Sequence, residues 1–333
     1  MGHMAKGVYH VEDDVSRTMP SGEWERQKST VRNWITPDGA PGPTGEGGFA
    51  AEAGRYHLYV AWNCPWAHRS LLARVFKTLD ALITVSAARP NRTEQGWVYD
   101  EAGEFSDPLM GIAALHEVYA ADPAPYTGRV TVPVLWDKLR GTIVNNESAE
   151  IVRMFDRAFD HLAPEHGNPG LILCPDTLRD EIDAVNADVY DRINNGVYKA
   201  GFATTQDAYE AAVVPLFEAL DRMEARLADG QGWLVGGRMT EADLRLFTTL
   251  VRFDPVYHGH FKCNLRRIAD YPMLTALTAR LLAVPAIRET VDDAHIRWHY
   301  YWSHTTINPT RVVPLGPAEP PRLDPSWPAP ALD

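Results

Sequence analysis

The sequence predicts a two-domain protein in which an α/β domain is followed by an all-α domain. The chain has 333 residues, about twice the ~150 residues that serve as a soft guide to the size of one domain. Strand-like and helical segments alternate over residues 56–160, whereas beyond about residue 165 apolar residues recur at the helical spacings of three and four. We therefore expect two hydrophobic cores, for which a hydrophobic content of 45% is sufficient.

Composition narrows the class of function. The formal charge of −12 argues against nucleic acid as a partner, because that binding begins with attraction of phosphates. No segment approaches the ~18 apolar residues of a membrane span, and no secretory signal pattern is present, so we expect a cytoplasmic protein. Cys64, Cys174 and Cys263 are odd in number and far apart, so neither a disulfide framework nor a CxxC zinc site is expected.

The α/β domain is predicted from local patterns. Residues 1–55 are rich in glycine, proline and charge, which predicts an irregular N-terminal extension. Aromatic and β-branched residues predict a strand over 56–61, apolar spacing predicts a helix over 67–79, and a second short strand follows over 82–86. Such a strand–helix–strand unit closes right-handed and parallel. We place this domain at residues 56–160.

A polar segment with two clusters of proline and glycine, residues 88–128, predicts a long insertion in this domain. Residues 130–136 then predict a strand that Pro133 interrupts, and residues 141–144 predict its partner. A proline in a strand removes a ladder hydrogen bond. A cis Val132–Pro133 bond would turn the backbone outward and expose Val132 to a peptide ligand, whereas the alternative is a proline on an edge strand.

The all-α domain is predicted at residues 170–304. Several segments there carry apolar residues on one helical side. Thr240, with Asp243 three places on, predicts the N-cap of one of these helices. Residues 305–333 are rich in proline and predict an extended C-terminal tail.

Cys64 and Pro65 stand between a predicted strand and a predicted helix. The first turn of a helix presents unpaired N–H groups and the positive end of its dipole, which favour negative charge. Proline suits the first helical position because it has no N–H to lose there. A thiol at this position has a lowered pKa and reacts as the thiolate, and His68 and Arg69 would add positive charge. The alternative is a small buried residue at a strand end.

These motifs together resemble the glutathione transferases. The Cys-Pro-x-x helix start, the proline-broken strand and a Glu-Ser pair at a helix start are similar to their thioredoxin-like N-terminal domain. The helical half, with Gly-Gly-Arg-Met-Thr-Glu-Ala-Asp over residues 236–243, is similar to their C-terminal domain. More narrowly, Asn-Cys-Pro-Trp-Ala-His-Arg over 63–69 and the ending His-Tyr-Tyr-Trp-Ser-His-Thr-Thr-Ile-Asn-Pro over 299–309 resemble the omega-like Xi class, the glutathionyl-hydroquinone reductases.

The resemblance implies a glutathione site on the α/β domain. Cys64 would be the nucleophile, and the cysteinyl backbone of glutathione would pair with Val132 beside Pro133. Glu147 would accept a hydrogen bond from the γ-glutamyl ammonium, and Ser148, with its amide, would hold the carboxylate. The alternative is that Ser148 is only a helix cap and Glu147 a solvated acid.

The resemblance also implies a tryptophan and an arginine in the glutathione pocket, for which Trp97 and Arg129 are the matching residues. Arg92 is a weaker rival to Arg129, and either arginine would otherwise be a solvated surface residue. At the hydroquinone end, aromatic walls and hydroxyls are needed to hold the ring oxygens.

Tyr198, Tyr300 and Tyr301 match the tyrosines of the family at that end. Tyr300 is preferred to Tyr301 as the catalytic residue, because adjacent helical residues do not face the same way. Tyr301 is kept as a binding residue. The alternative is that these aromatic residues belong to the core.

The implied reaction uses one cysteine, since the position three residues after Cys64 is Ala67. The thiolate attacks the sulfur of a glutathionyl-hydroquinone, the hydroquinone leaves as a tyrosine protonates its carbon, and free glutathione, the co-substrate, opens the mixed disulfide. The rival functions are an omega-like thioltransferase or dehydroascorbate reductase, a reductive dehalogenase, and a glutathione- or ligand-binding protein without turnover.

Histidines raise the question of a metal site. Acidic or cysteine partners do not complete a recognisable motif around them, so no metal is expected. The histidines considered are His258, His260, His295, His299 and His304. The resemblance further implies a homodimer, while the charge and the lack of a long apolar segment predict neither a nucleic-acid nor a membrane partner.

Overall fold

The computed structural model describes residues 2–11, 18–162, 168–229 and 232–317. The chain forms two compact units. The first, the α/β unit, comprises Met1–Ser16 and Gln27–Ile172, and the second, the helical unit, comprises Arg17–Arg26 and Leu173–Asp333. The tail predicted over residues 305–333 falls outside the described residues from position 318 onward.

The α/β unit is built on a mixed four-stranded sheet. Its described strands are β1 (His3–Ala5), β2 (Val8–His10), β3 (Tyr56–Val60), β4 (Ile83–Ala87), β5 (Gly128–Arg129), β6 (Val134–Asp137) and β7 (Thr142–Asn145). The four-stranded sheet has the order β4-β3-β6-β7, and β2-β1-β5 form a smaller sheet. β3 pairs parallel with β4 and antiparallel with β6, which in turn pairs antiparallel with β7. The parallel pair expected from the strand–helix–strand pattern is confirmed.

The helices of the α/β unit are α1 (Pro65–Phe76), α2 (His116–Ala121) and α3 (Ser148–Arg157). α1 connects β3 to β4 and packs against α3. Leu72 on α1 and Phe155 on α3 are fully buried, because each helix turns an apolar stripe toward the core.

Two details of the α/β unit differ from the sequence prediction. The strand expected over residues 130–136 is shortened, since β6 begins only at Val134, after the proline that cannot donate a ladder hydrogen bond. The Val132–Pro133 bond is cis, as predicted. The extension expected to be irregular contains the β1–β2 hairpin, whose turn residues Lys6 and Gly7 both have positive φ, the geometry that two-residue hairpin turns favour.

The helical unit contains the remaining described helices. They are α4 (Arg179–Asp188), α5 (Gly196–Gly201), α6 (Gln206–Leu227), α7 (Glu241–Arg252), α8 (Pro272–Leu282), α9 (Pro285–Arg288) and α10 (Asp293–Ser303). π-helical turns over Val189–Asn194 and Phe253–Tyr257 follow α4 and α7 directly. None of the helices described in the chain is long and apolar enough to cross a membrane.

The start of α7 confirms the predicted cap. The side chain of Asp243 accepts hydrogen bonds from the Thr240 N–H at 2.8 Å and from the Leu234 N–H at 2.9 Å, and Thr240 and Asp243 together form a capping box. Burial raises the pKa of Asp243 to about 6. Every residue of α7 is buried, so this cap fixes the central helix of the unit.

Candidate functional site

Cys64 is the N-cap of α1, and Pro65 is the first helical residue. The Cys64 N–H donates to the Ala61 carbonyl oxygen at 2.9 Å, and the Cys64 carbonyl oxygen accepts from the His68 N–H at 3.0 Å. The cysteine is 8% exposed, and its Sγ lies 3.8 Å from the Val132 carbonyl oxygen. The thiol therefore stands at the start of α1, as the Cys-Pro pair predicts, and faces the loop that carries the cis proline.

A tyrosine from the insertion holds that loop. The Tyr119 hydroxyl donates to the Thr131 carbonyl oxygen at 2.9 Å, and it accepts from the Thr131 N–H and from Asn146 Nδ2, each at 3.4 Å. Tyr119 lies on α2 and is fully buried. One hydroxyl thus connects the residue before Val132 with the residue before Glu147.

Glu147 and Ser148 begin α3. Glu147 is the N-cap, and its Oε1 accepts from the Ala149 N–H at 3.1 Å, while its own N–H donates to Asn145 Oδ1 at 2.6 Å. Ser148 is the first helical residue and is 3% exposed. The capping residue is therefore Glu147 rather than Ser148. The start of α3 carries the partial positive charge that suits an anionic group.

Trp97 and Arg129 are both buried, at 5% and 4% exposure. The Leu115 N–H donates to the Trp97 carbonyl oxygen at 2.9 Å, which anchors the insertion around the tryptophan. The Arg92 guanidinium lies 5.4 Å from the centre of the Trp97 ring, a cation–π contact. Arg129 lies in β5, opposite His3 of β1. The alternative of a solvated surface arginine is wrong for Arg129.

In the helical unit, three tyrosine hydroxyls form a chain. The Tyr198 and Tyr300 hydroxyl oxygens are 2.7 Å apart, and those of Tyr257 and Tyr300 are 2.9 Å apart. All three residues are buried, Tyr257 completely. Burial raises the pKa of Tyr257 and of Tyr300 well above the ordinary value for a phenol. The structure thus joins the two predicted catalytic tyrosines and adds Tyr257 to them.

Tyr301 takes a different direction from Tyr300. It is half-buried, and its ring lies 4.6 Å from that of His260, centre to centre. His260 Nε2 is 3.1 Å from His304 Nδ1, and burial lowers the pKa of His260 to about 4. Within the described part of the chain, no group of three or more His, Cys, Asp or Glu residues is arranged to hold a metal ion. That the protein uses no metal stays a prediction.

Comparisons with known proteins assign the family. Models for the N-terminal and C-terminal domains of glutathione S-transferase match residues 63–158 and 206–280. The chain is 50% identical over 319 residues to the glutathionyl-hydroquinone reductase YqjG of Escherichia coli K-12, and 95% of each chain is covered. The crystal structure of the glutathione S-transferase Xi from Phanerochaete chrysosporium is 50% identical, covers 95% of this chain and 100% of that one, and superposes with a TM-score of 0.87.

This chain belongs to the Xi class of glutathione transferases. The glutathione-bound structure of YqjG is also similar to it, with 51% identity, a TM-score of 0.83, and coverage of 86% of this chain and 92% of that one. The predicted resemblance and the predicted fold class, a thioredoxin-like α/β domain followed by an all-α domain, are confirmed.

Two residues of this Xi-class chain were missed by the sequence analysis. Tyr119 lies in the insertion, in which Trp97 and Arg92 were the predicted candidates. Tyr257 adjoins His258, one of the histidines weighed above only as possible metal ligands. Both tyrosines are wholly buried, and hydroxyl pairing over such sequence separations leaves no local pattern.

Proposed function

We propose that this Xi-class transferase reduces glutathionyl-hydroquinones to free hydroquinones, with glutathione as co-substrate. The observation that carries the proposal is Cys64 at the N-cap of α1, with its Sγ 3.8 Å from the Val132 carbonyl oxygen. A thiol at a helix start is favoured as the thiolate. The identity of 50% with a relative named glutathionyl-hydroquinone reductase supports the choice of substrate.

The proposed cycle has two sulfur transfers. In the first, the Cys64 thiolate attacks the sulfur of the glutathionyl-hydroquinone. A sulfur–sulfur bond forms, the carbon–sulfur bond breaks, and its electron pair passes to the ring carbon, which takes a proton. In the second, the thiolate of a free glutathione attacks the mixed disulfide, so that glutathione disulfide leaves and the Cys64 thiolate returns. Because Ala67 stands where a dithiol enzyme carries its second cysteine, glutathione itself must resolve the disulfide.

We assign the glutathione-binding roles to main-chain and side-chain groups of the α/β unit. The main chain of Val132, before Pro133, would pair with the cysteinyl residue of glutathione. Glu147 would bind the γ-glutamyl ammonium, and the start of α3 at Ser148 would bind its carboxylate. Capping uses one oxygen of Glu147, and a carboxylate has about four acceptor positions, so the cap does not exhaust it.

Trp97 and Arg129 complete the proposed glutathione pocket, one as an aromatic wall and the other as a partner for a glutathione carboxylate. Their burial supports a role inside the unit rather than at its surface.

We assign the proton donor for the ring carbon to the tyrosine chain, with Tyr198 and Tyr300 as the catalytic residues. Burial raises the pKa of Tyr300 well above the ordinary value for a phenol, so its hydroxyl stays protonated at neutral pH. When one phenol gives up its proton, a neighbouring hydroxyl at 2.7–2.9 Å donates to the oxygen left behind. Tyr301 would contact the substrate ring.

The test is hydroquinone release from glutathionyl-menadiol or glutathionyl-benzohydroquinone in the presence of glutathione, with wild type and Cys64→Ser in parallel. We expect release by the wild type and a rate at least ~10³-fold lower for the variant, because a hydroxyl does not replace a thiolate nucleophile. A wild type that binds glutathione but releases no hydroquinone would overturn the proposal and favour thiol transfer, which reduction of dehydroascorbate would reveal.

We also infer a cytoplasmic homodimer. The three cysteines, all within the described residues, form no disulfide, which fits a reducing compartment, and dimers are implied by the resemblance to the family. Light scattering on the purified chain tests the oligomeric state, since a single mass of about 37 kDa would contradict a dimer.

A further inference from the structure

A short segment of the N-terminal extension belongs to the helical unit. Residues 18–26 lie in this unit although the chain on both sides of them lies in the other. The Gly22 carbonyl oxygen accepts from the Thr204 N–H at 3.1 Å, and Thr205 Oγ1 donates to the Ser21 carbonyl oxygen at 3.0 Å. These hydrogen bonds attach the segment to the residues that begin α6.

Gly22 allows this attachment. It has a φ of +89°, a conformation that favours glycine, and a Cβ added there would lie 2.5 Å from Thr205 Oγ1. Any side chain at this position would push the segment away from α6. The close contact at Gly22 and the two hydrogen bonds therefore fix the position of the segment against the start of α6.

The attached segment carries two side chains onto Tyr198. The Trp24 ring stacks on the Tyr198 ring, with centres 5.7 Å apart and planes 22° apart. The Arg26 guanidinium carbon lies 4.9 Å from the centre of the Trp24 ring and 4.9 Å from that of Tyr198. Arg26 Nε also donates to Asn195 Oδ1 at 2.7 Å. The cation is thus fixed by two rings and one amide.

The positive charge of Arg26 favours loss of the proton from the Tyr198 hydroxyl. A phenol that gives up its proton acquires negative charge on its ring and oxygen. A guanidinium over the ring face attracts that charge, and the attraction strengthens where water is excluded. Trp24 is only 5% exposed and Tyr198 9%, whereas Arg26 is partly exposed. The two rings are thus shielded from solvent, and the guanidinium approaches them from a partly buried position.

We propose that Arg26 is a positioning residue for hydroquinone release. Its guanidinium orients Tyr198 and favours transfer of the phenol proton to the ring carbon. This inference rests on the proposed function, in which the tyrosine chain supplies that proton. Arg26 acts through Tyr198, and Trp24 and Asn195 keep its guanidinium over the ring.

The test compares two reactions of Arg26→Met, a variant that keeps an unbranched apolar chain and removes the charge. Hydroquinone release needs a proton on carbon, whereas reduction of the mixed disulfide of glutathione and 2-mercaptoethanol needs only sulfur exchange at the active cysteine. We expect kcat for hydroquinone release to fall about fivefold and the alkaline limb of its pH profile to move to higher pH, since Tyr198 then holds its proton more firmly. We expect disulfide reduction, and the KM for glutathione, to stay within about twofold of the wild type.

Arg26→Lys is the matched control. It keeps a cation at this position, so it should restore most of the rate and the wild-type pH profile, which a purely structural role would not require. Equal losses in both reactions, or an unchanged pH profile in Arg26→Met, would overturn the inference. A wild type that releases no hydroquinone would overturn the proposed function itself, so the two failures are distinguishable.

Discussion

Cys64 in the α/β unit and Cys263 in the helical unit are two buried cysteines with opposite surroundings. Each sulfur lies near a main-chain carbonyl oxygen, at 3.8 Å from Val132 for Cys64 and at 3.9 Å from Val197 for Cys263. Cys64, however, caps the 12-residue helix α1, whereas Cys263 lies outside any helix or strand and is completely buried. Burial raises the pKa of the Cys263 thiol. Because burial and a nearby carbonyl group are common to both, the helix start is the feature from which we predict that Cys64 is the reactive thiol.

The largest expected effect is on alkylation. At pH 7 we expect iodoacetamide to modify Cys64 at least ~10³ times faster than Cys263, because only the thiolate reacts and each unit of raised pKa lowers its fraction tenfold. Peptide mapping by mass spectrometry after timed quenching would measure the cysteines separately. Equal rates in the folded protein would break the comparison, and equal rates in urea are the expected control.

The helix starts were predictable from the sequence because their signals are local. Cys64 beside Pro65, and Thr240 three residues before Asp243, each specify a cap within one turn. The cis bond before Pro133 was predictable for a similar reason, since a proline inside a strand pattern requires some local solution.

The tertiary contacts of the site were not predictable in this way. Tyr198 and Tyr300 are 102 residues apart. Both were predicted as site residues from the resemblance to the family, and not from any spacing in the sequence. For Tyr119, Tyr257 and the contact of Arg26 with Tyr198, no pattern in the sequence indicates the partner. Such pairs depend on how whole elements pack. Apolar periodicity predicts which face of a helix is buried, but not which residues of another element it meets.

The second effect extends the comparison from cysteines to two buried histidines. In the α/β unit, the His57 ring is hydrogen-bonded through Nδ1 to Thr84 Oγ1 at 2.7 Å and through Nε2 to Ser86 Oγ at 2.9 Å. In the helical unit, His260 Nε2 is hydrogen-bonded to His304 Nδ1 at 3.1 Å. Burial lowers the pKa of both His57 and His260 to about 4. An unfolded histidine has a pKa of about 6.5, so the unfolded chain takes up a proton at a higher pH than the folded one.

Stability from each of these histidines is therefore complete above pH ~6.5 and is lost as the pH falls toward ~4. At pH 5 each should cost about 2 kcal/mol of unfolding free energy relative to pH 7.5. Urea unfolding at the two pH values measures the difference, and His57→Gln and His260→Gln should each reduce it. If one variant leaves the pH dependence unchanged, burial of that histidine does not lower its pKa in the folded protein, and the two units differ in their histidines as well as in their cysteines.

The smallest effect concerns the loop around Val132, which faces Cys64. Tyr119→Phe removes the hydroxyl that bonds Thr131 and Asn146, and so loosens the main chain next to Val132 and Glu147. We expect the KM for glutathione to rise about fivefold, since one hydrogen bond between neutral groups contributes about 1 kcal/mol, with kcat little changed. Tyr99→Phe is the matched control, because the Tyr99 hydroxyl, also buried in the insertion, has no hydrogen-bond partner among the described residues. An equal rise in KM for Tyr99→Phe, or a fall in kcat alone for Tyr119→Phe, would show that the hydroxyl does not act by holding the glutathione-binding main chain.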